Sequence, residues 1–211
     1  MTALRAVAWD VDGTLVDSEP LHLRALLAAS RGFGVDLSDL RDDEFRGVHM
    51  PDVWRALRSR MPADLQETVW LDAIAAHYIG DRATLRPLPG AVETIAALAA
   101  RGIPQACVSN SHRAVVNANL DALGITRFMA FTIALDDVSA GKPDPEPYAA
   151  AARLFGLAPY EVLAVEDSVA GMTSAVAAGL PVAFFTTHFD ASIATAGASP
   201  ISRLADIFRW F

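Results

Sequence analysis

The sequence predicts an α/β fold, a parallel sheet flanked by helices and interrupted early by an all-helical insertion. Three observations carry this expectation. Short apolar runs of roughly four to eight residues recur along the chain. Helical patterns alternate with most of them, and between residues 16 and 87 the alternation gives way to helical periodicity alone. Strands covered by helices on both faces read as continuous apolar runs rather than alternating ones, which is what a parallel sheet requires.

The first run is AVAWD, residues 6–10. After it, PLHLRALLAASRGFG, MPDVWRALRSRM and DLQETVWLDAIAAHYIG place apolar residues at helical spacing, with no convincing strand among them. RPLPG, residues 86–90, supplies the Pro and Gly punctuation of a re-entry linker. From there AVETIAALAARG, HRAVVNANLDALG, PEPYAAAARLFG and AGMTSAVAAGL read as helices closed near a Gly. They separate the runs IPQACVSN, FMAFTIAL, VLAVEDS and PVAFFTTH. The closing ISRLADIFRWF reads as a last helix docked by its aromatic residues. The expected organisation is a Rossmann-like core over residues 1–15 and 88–211 with a helical cap over 16–87. Its two links, Val16 to Ser18 and Arg86 to Gly90, are expected to let the cap close over a cleft.

Composition narrows the function. The chain has 211 residues, 53% of them hydrophobic, and a formal net charge of -8. That charge, with no block of Lys and Arg, argues against a nucleic-acid partner. A small anionic substrate stays open, because a metal or one local Lys reverses the sign inside a cleft. The single cysteine, Cys107, lies in an apolar run, so we read it as an inert buried thiol in a reducing compartment. No secretory signal and no membrane span is read, and the expectation is a cytoplasmic protein, a monomer or weak homodimer.

The polar groups stand at strand exits, where ligands bind in parallel α/β sheets. Asp10 and Asp12 close the first run and Ser109 and Asn110 the second. The third leads into the loop of Lys142, and Glu166 and Asp167 close the fourth. The fifth ends in Thr186, Thr187 and His188, to which we assign no chemistry. Residues i and i+2 of a strand share a side, so Asp10 and Asp12 can meet at one exit, and Gly13 lets the backbone turn and approach a ligand. Two carboxylates leaving an apolar segment call for a positive partner. A hard divalent cation such as Mg2+, held by oxygens of Asp10, Asp12 and Asp167, meets that demand. A carboxylate so placed can attack phosphorus, while a second passes the proton. Lys142, the Ser109 hydroxyl and backbone N–H groups can offset the charge on the transferring group.

DVDGTLVDS, VSNS, GKPDPEPY and VEDSVAG, in this order and each after an expected strand, resemble the four motifs of the haloacid dehalogenase-like hydrolases. The likeness is strongest to the subgroup with a helical cap after the first motif, which holds β-phosphoglucomutase-type sugar phosphomutases and sugar phosphate phosphatases. It implies Asp10 as nucleophile, Asp12 as general acid and base, Ser109 on the phosphoryl group, and Lys142 neutralising charge; we expect Asn110 to bind the phosphate beside Ser109 and Lys142. It likewise implies metal binding by Asp10, the Asp12 carbonyl and Asp167, with Glu166 beside or on the ion. Arg46, Gly47 and Val48 resemble the cap loop that reaches the substrate in that subgroup, and His22 a position near the hinge of the cap. Met50 stands where the mutases carry an arginine for a second phosphate, which favours a phosphatase over a mutase. A metal-independent dehalogenase would gain nothing from this acidic cluster, and a non-catalytic metabolite-binding module is the remaining alternative.

Overall fold

The computed structural model describes residues 3–41, 44–45, 48, 50–186 and 197–211. In chain order the elements are β1 (Ala6–Trp9), β2 (Val16–Asp17), α1 (Glu19–Gly32), α2 (Met50–Leu57), α3 (Glu67–Gly80), β3 (Arg86–Pro87), α4 (Ala91–Ala100) and β4 (Gln105–Val108). There follow α5 (Arg113–Leu123), β5 (Phe131–Ile133), α6 (Glu146–Phe155), β6 (Val162–Glu166), α7 (Val169–Ala177), β7 (Val182–Phe185) and β8 (Ala198–Ile201). A 3-10 helix, Leu204–Trp210, closes the chain. Two compact units result, Met1–Asp17 with Arg86–Phe211, and Ser18–Leu85.

The first unit is built on a six-stranded sheet in the order β5-β4-β1-β6-β7-β8, every pair parallel. The chain leaves β1 for β4 and β5 on one side and then crosses back to β6 on the other. Strand order therefore reverses at β1, and the crevice outside its carboxyl end is where such sheets bind ligands. All residues of β1, β4 and β6 are buried. Ala6 and Ala8 face a core filled by Tyr148, Ala151, Met172 and Ala175 of α6 and α7. On the opposite side of β1 the Trp9 indole donates to Gln105 at 3.0 Å. The Gln105 amide in turn donates to the Ile95 carbonyl of α4 at 3.0 Å, so a buried polar chain is closed without water.

The second unit, which contains α1, α2 and α3, has its own small core. Leu21, Ala25, Leu26 and Ala29 form the buried stripe of α1. Trp70 of α3 donates to Ser30 at 2.9 Å and lies 5.4 Å from Trp54, while the His22 and Tyr78 rings lie 4.4 Å apart.

Three details differ from the sequence reading. Residues 16–17 and 86–87 were expected as links without strand; they pair with each other as the antiparallel strands β2 and β3. Strand β8 was not expected, because ASPI is not an apolar run and carries Pro200, a residue that an edge strand tolerates. The terminal segment is a 3-10 helix and buries Leu204 and Ile207 rather than its aromatics, with Arg101 stacked over Phe208 at 4.4 Å. No helix among the described residues is long and apolar enough to cross a membrane.

Candidate active site

The exits of β1, β4 and β6 and the loop after β5 converge on Lys142. Its buried ammonium donates to Asp10 Oδ1 at 2.6 Å, to the Val108 carbonyl at 2.8 Å and to Glu166 Oε1 at 2.6 Å. Glu166 spends both oxygens on protein donors: Tyr148 reaches Oε1 at 2.6 Å, and the Ser168 hydroxyl and backbone N–H reach Oε2 at 3.1 and 3.5 Å. Asp10 is different. Its Oδ2 is buried and has no hydrogen-bond partner among the described residues.

Asp12 lies in the turn that follows, where Gly13 donates to the Val16 carbonyl and Leu15 and Val16 donate to that of Val11. Its Oδ2 accepts from Ser111 at 3.0 Å and from Ser109 at 3.3 Å, and its Oδ1 accepts from the Asn119 amide at 3.0 Å. Asp167 completes the cluster, accepting from Thr14 at 3.1 Å. A Cβ at Gly13, where φ is +84°, would sit 2.2 Å from Asp167 Oδ2, so glycine is needed there for shape as well as for backbone conformation. Gly171 has the same function toward Glu166, for a Cβ there would fall 1.9 Å from Oε1.

Asn110, expected on the phosphoryl group, has both ends of its amide on the backbone of Lys142. Its Oδ1 accepts from the Lys142 N–H at 2.8 Å and its Nδ2 donates to the Lys142 carbonyl at 2.9 Å.

The charges are unbalanced. Burial and then the Glu166 charge push Asp10 well above the usual carboxylate range, against the pull of Lys142. Burial and Glu166 push Asp167 up to about 7. Burial alone would depress Lys142, yet Asp10 and Glu166 hold it above the ordinary lysine range. Tyr148 is raised by burial and by Glu166 and stays a neutral donor. Among the described residues Asp10, Glu166 and Asp167 bring carboxylate oxygens within 4.8 Å of one another. One ammonium against three carboxylates, an orphaned buried oxygen and an all-oxygen donor set suit a hard divalent cation.

The structure thus brings together Asp10, Asp12, Ser109, Asn110, Lys142, Glu166 and Asp167. Arg46 lies outside the described residues, as do Gly47, Thr187 and His188. His22 belongs to the helical unit, against Tyr78. Cys107 is buried, and burial raises its thiol far from reactivity. Sequence reading missed Thr14, Ser111, Asn119 and Tyr148 as partners of the site. Thr14 and Ser111 stand in the motifs DVDGTLVDS and VSNS, and Asn119 and Tyr148 are polar residues inside apolar helical patterns, signals that give no distance.

Comparison with known proteins finds phosphatases similar in sequence and a phosphate-bound protein similar in fold. A phosphoglycolate phosphatase of Thiobacillus denitrificans is 32% identical over 186 residues, 85% of this chain and 82% of its own length. Hexitol phosphatase A of Escherichia coli is 32% identical over 176 residues, covering 82% and 79%. CbbY from Rhodobacter sphaeroides, solved in complex with phosphate, superposes with a TM-score of 0.85 at 28% identity, over 97% of this chain and 96% of that one. The family profile described as haloacid dehalogenase-like hydrolase matches residues 4–179, and the chain belongs to that family.

Proposed function

We propose that this chain is a Mg2+-dependent phosphatase that hydrolyses a small phosphorylated metabolite through a phosphorylated Asp10. The observation that carries the reading is the Asp10 carboxylate, tied on one oxygen by Lys142 and left on the other with a buried atom that no donor among the described residues meets. Such an atom is costly unless a ligand completes it. The names of the relatives, phosphoglycolate and hexitol phosphatases, point to the substrate class.

In this reading the Asp10 carboxylate attacks phosphorus as the bond to the ester oxygen breaks, and Asp12 gives its proton to that leaving oxygen. Asp12 then takes a proton from water, whose oxygen attacks phosphorus, breaks the Asp10–phosphorus bond and releases phosphate. Lys142 holds Asp10 in place and offsets charge, with the Ser109 hydroxyl nearby. Asp10, the Asp12 carbonyl and Asp167 are the groups to hold the ion, with Glu166 as the anchor of Lys142. A bound Mg2+ supplies the positive charge that draws electrons from the phosphoryl oxygens.

The test is phosphate release from a panel of phosphate esters, phosphoglycolate and hexitol phosphates first. Activity is expected with Mg2+, lost with chelator, and reduced at least a thousandfold in Asp10→Asn, about the scale of losing an activated nucleophile. Retained turnover in that variant defeats the covalent mechanism.

A further inference from the structure

We propose that Asn119 is a positioning residue for proton transfer by Asp12, an assignment that rests on the phosphatase reading above. Asn119 projects from α5 and is fully buried, among helix neighbours Val116, Leu120 and Leu123 that are apolar and buried as well. Asparagine is a poor choice for the interior of a helix and for a core, unless its amide has a specific partner. The partner is Asp12 Oδ1, 3.0 Å from Nδ2.

The two edges of the Asp12 carboxyl are held differently. An amide N–H can only donate, so Asn119 keeps Oδ1 an acceptor. Oδ2 lies against the hydroxyls of Ser111 and Ser109, which rotate and can either donate or accept. Asn119 therefore fixes the plane of the carboxyl and assigns proton exchange to Oδ2, where the hydroxyls can follow it. The turn itself does not need this contact, since backbone hydrogen bonds among Val11, Gly13, Leu15 and Val16 already close it. What Asn119 adds is orientation of one side chain, the quantity on which general acid catalysis depends.

The prediction separates orientation from mere packing. In the first step the Asp12 proton moves to the ester oxygen as the phosphorus–oxygen bond breaks and the Asp10–phosphorus bond forms. A nitrophenolate departs without that proton, whereas a phenolate gains from it. We therefore expect Asn119→Leu to lower kcat/KM with Mg2+ for phenyl phosphate about tenfold more than for p-nitrophenyl phosphate, a fraction of the full general-acid contribution. The ratio of the two values does not depend on how much of the protein is folded, and Asn119→Ser is read by the same ratio should the leucine variant fail to fold. Asp12→Ala should move the ratio the same way and further, and adding Asn119→Leu to it should move it no more. Equal losses on both esters, or a further shift in the double variant, overturn the assignment while leaving the phosphatase reading intact. Wild-type protein that releases phosphate from neither aryl ester nor any ester of the panel above overturns that reading and this one together.

Discussion

Lys142 serves two buried carboxylates with one ammonium, and its removal leaves Asp10 and Glu166 facing each other without a counter-charge. Breaking a buried ion pair from one side costs about 3–5 kcal/mol. Lys142→Met is expected to lose that much stability by urea unfolding in chelator, and a loss below about 1 kcal/mol would show the carboxylates taking up protons or water instead. Asp10 and Asp167 were legible in the sequence because each follows an apolar run, where a charge is expensive and needs a reason, and Lys142 because it stands between Gly141 and Pro143 in GKPDPEPY. Thr14, Tyr148 and Asn119 were not. Their contacts to Asp167, Glu166 and Asp12 join groups far apart in the chain, and periodicity assigns a face without saying what meets it. Asn110 was legible as polar, but its clasp on the Lys142 backbone depends on a loop whose path no local pattern gives.

Helix α7 shows how one element serves both fold and site. Ser168 caps it, accepting from the Gly171 N–H at 3.0 Å, and the same hydroxyl donates to Glu166. The Glu166 carboxylate packs so closely over Gly171 that no side chain fits there. Gly171→Ala is expected to destabilise the protein by about 1–3 kcal/mol, the usual cost of overpacking, even though alanine suits a helix better. Equal or higher thermal stability in that variant would show that Glu166 moves aside. The alternation of apolar runs and helical patterns located β1, β4, β5, β6 and β7 and helices α4 to α7 to within a few residues. The misses are β2 and β3, strands of two residues and too short to show a period, and β8, whose ASPI is no apolar run and carries Pro200.

At the scale of the whole molecule, the burial of acidic groups makes stability depend on pH and on metal. Asp167 titrates at about 7 in the folded chain against an ordinary 3.8. Between these values the folded chain keeps a proton that the unfolded chain has lost, so stability contributed by Asp167 falls as pH rises through that window, and Asp10 acts in the same direction. Exposed carboxylates such as Asp39 and Asp136 are lowered and act in the opposite direction, below their ordinary range. Urea unfolding in chelator from pH 5 to pH 7.5 is therefore expected to show declining stability, flatter in Asp167→Asn. Added Mg2+ should stabilise most at the upper end, where the carboxylates are ionised. Rising stability across that window without metal would contradict the burial of these groups. Strand order was beyond the sequence, because the connection rules fix the handedness of each crossover and not the side of β1 on which β4 and β6 settle.

β1 lies between two strands that are made later, and its pairing with β6 aligns Trp9 with Val165. On the ribosome, the earliest acidic residue of the centre must therefore wait for almost the last. A nascent chain that has emerged only as far as Lys142 holds a lysine and an aspartate but no Glu166 to anchor them. Synthesis order itself thus leaves the centre incomplete until β6 and the Asp167 that follows it have been made.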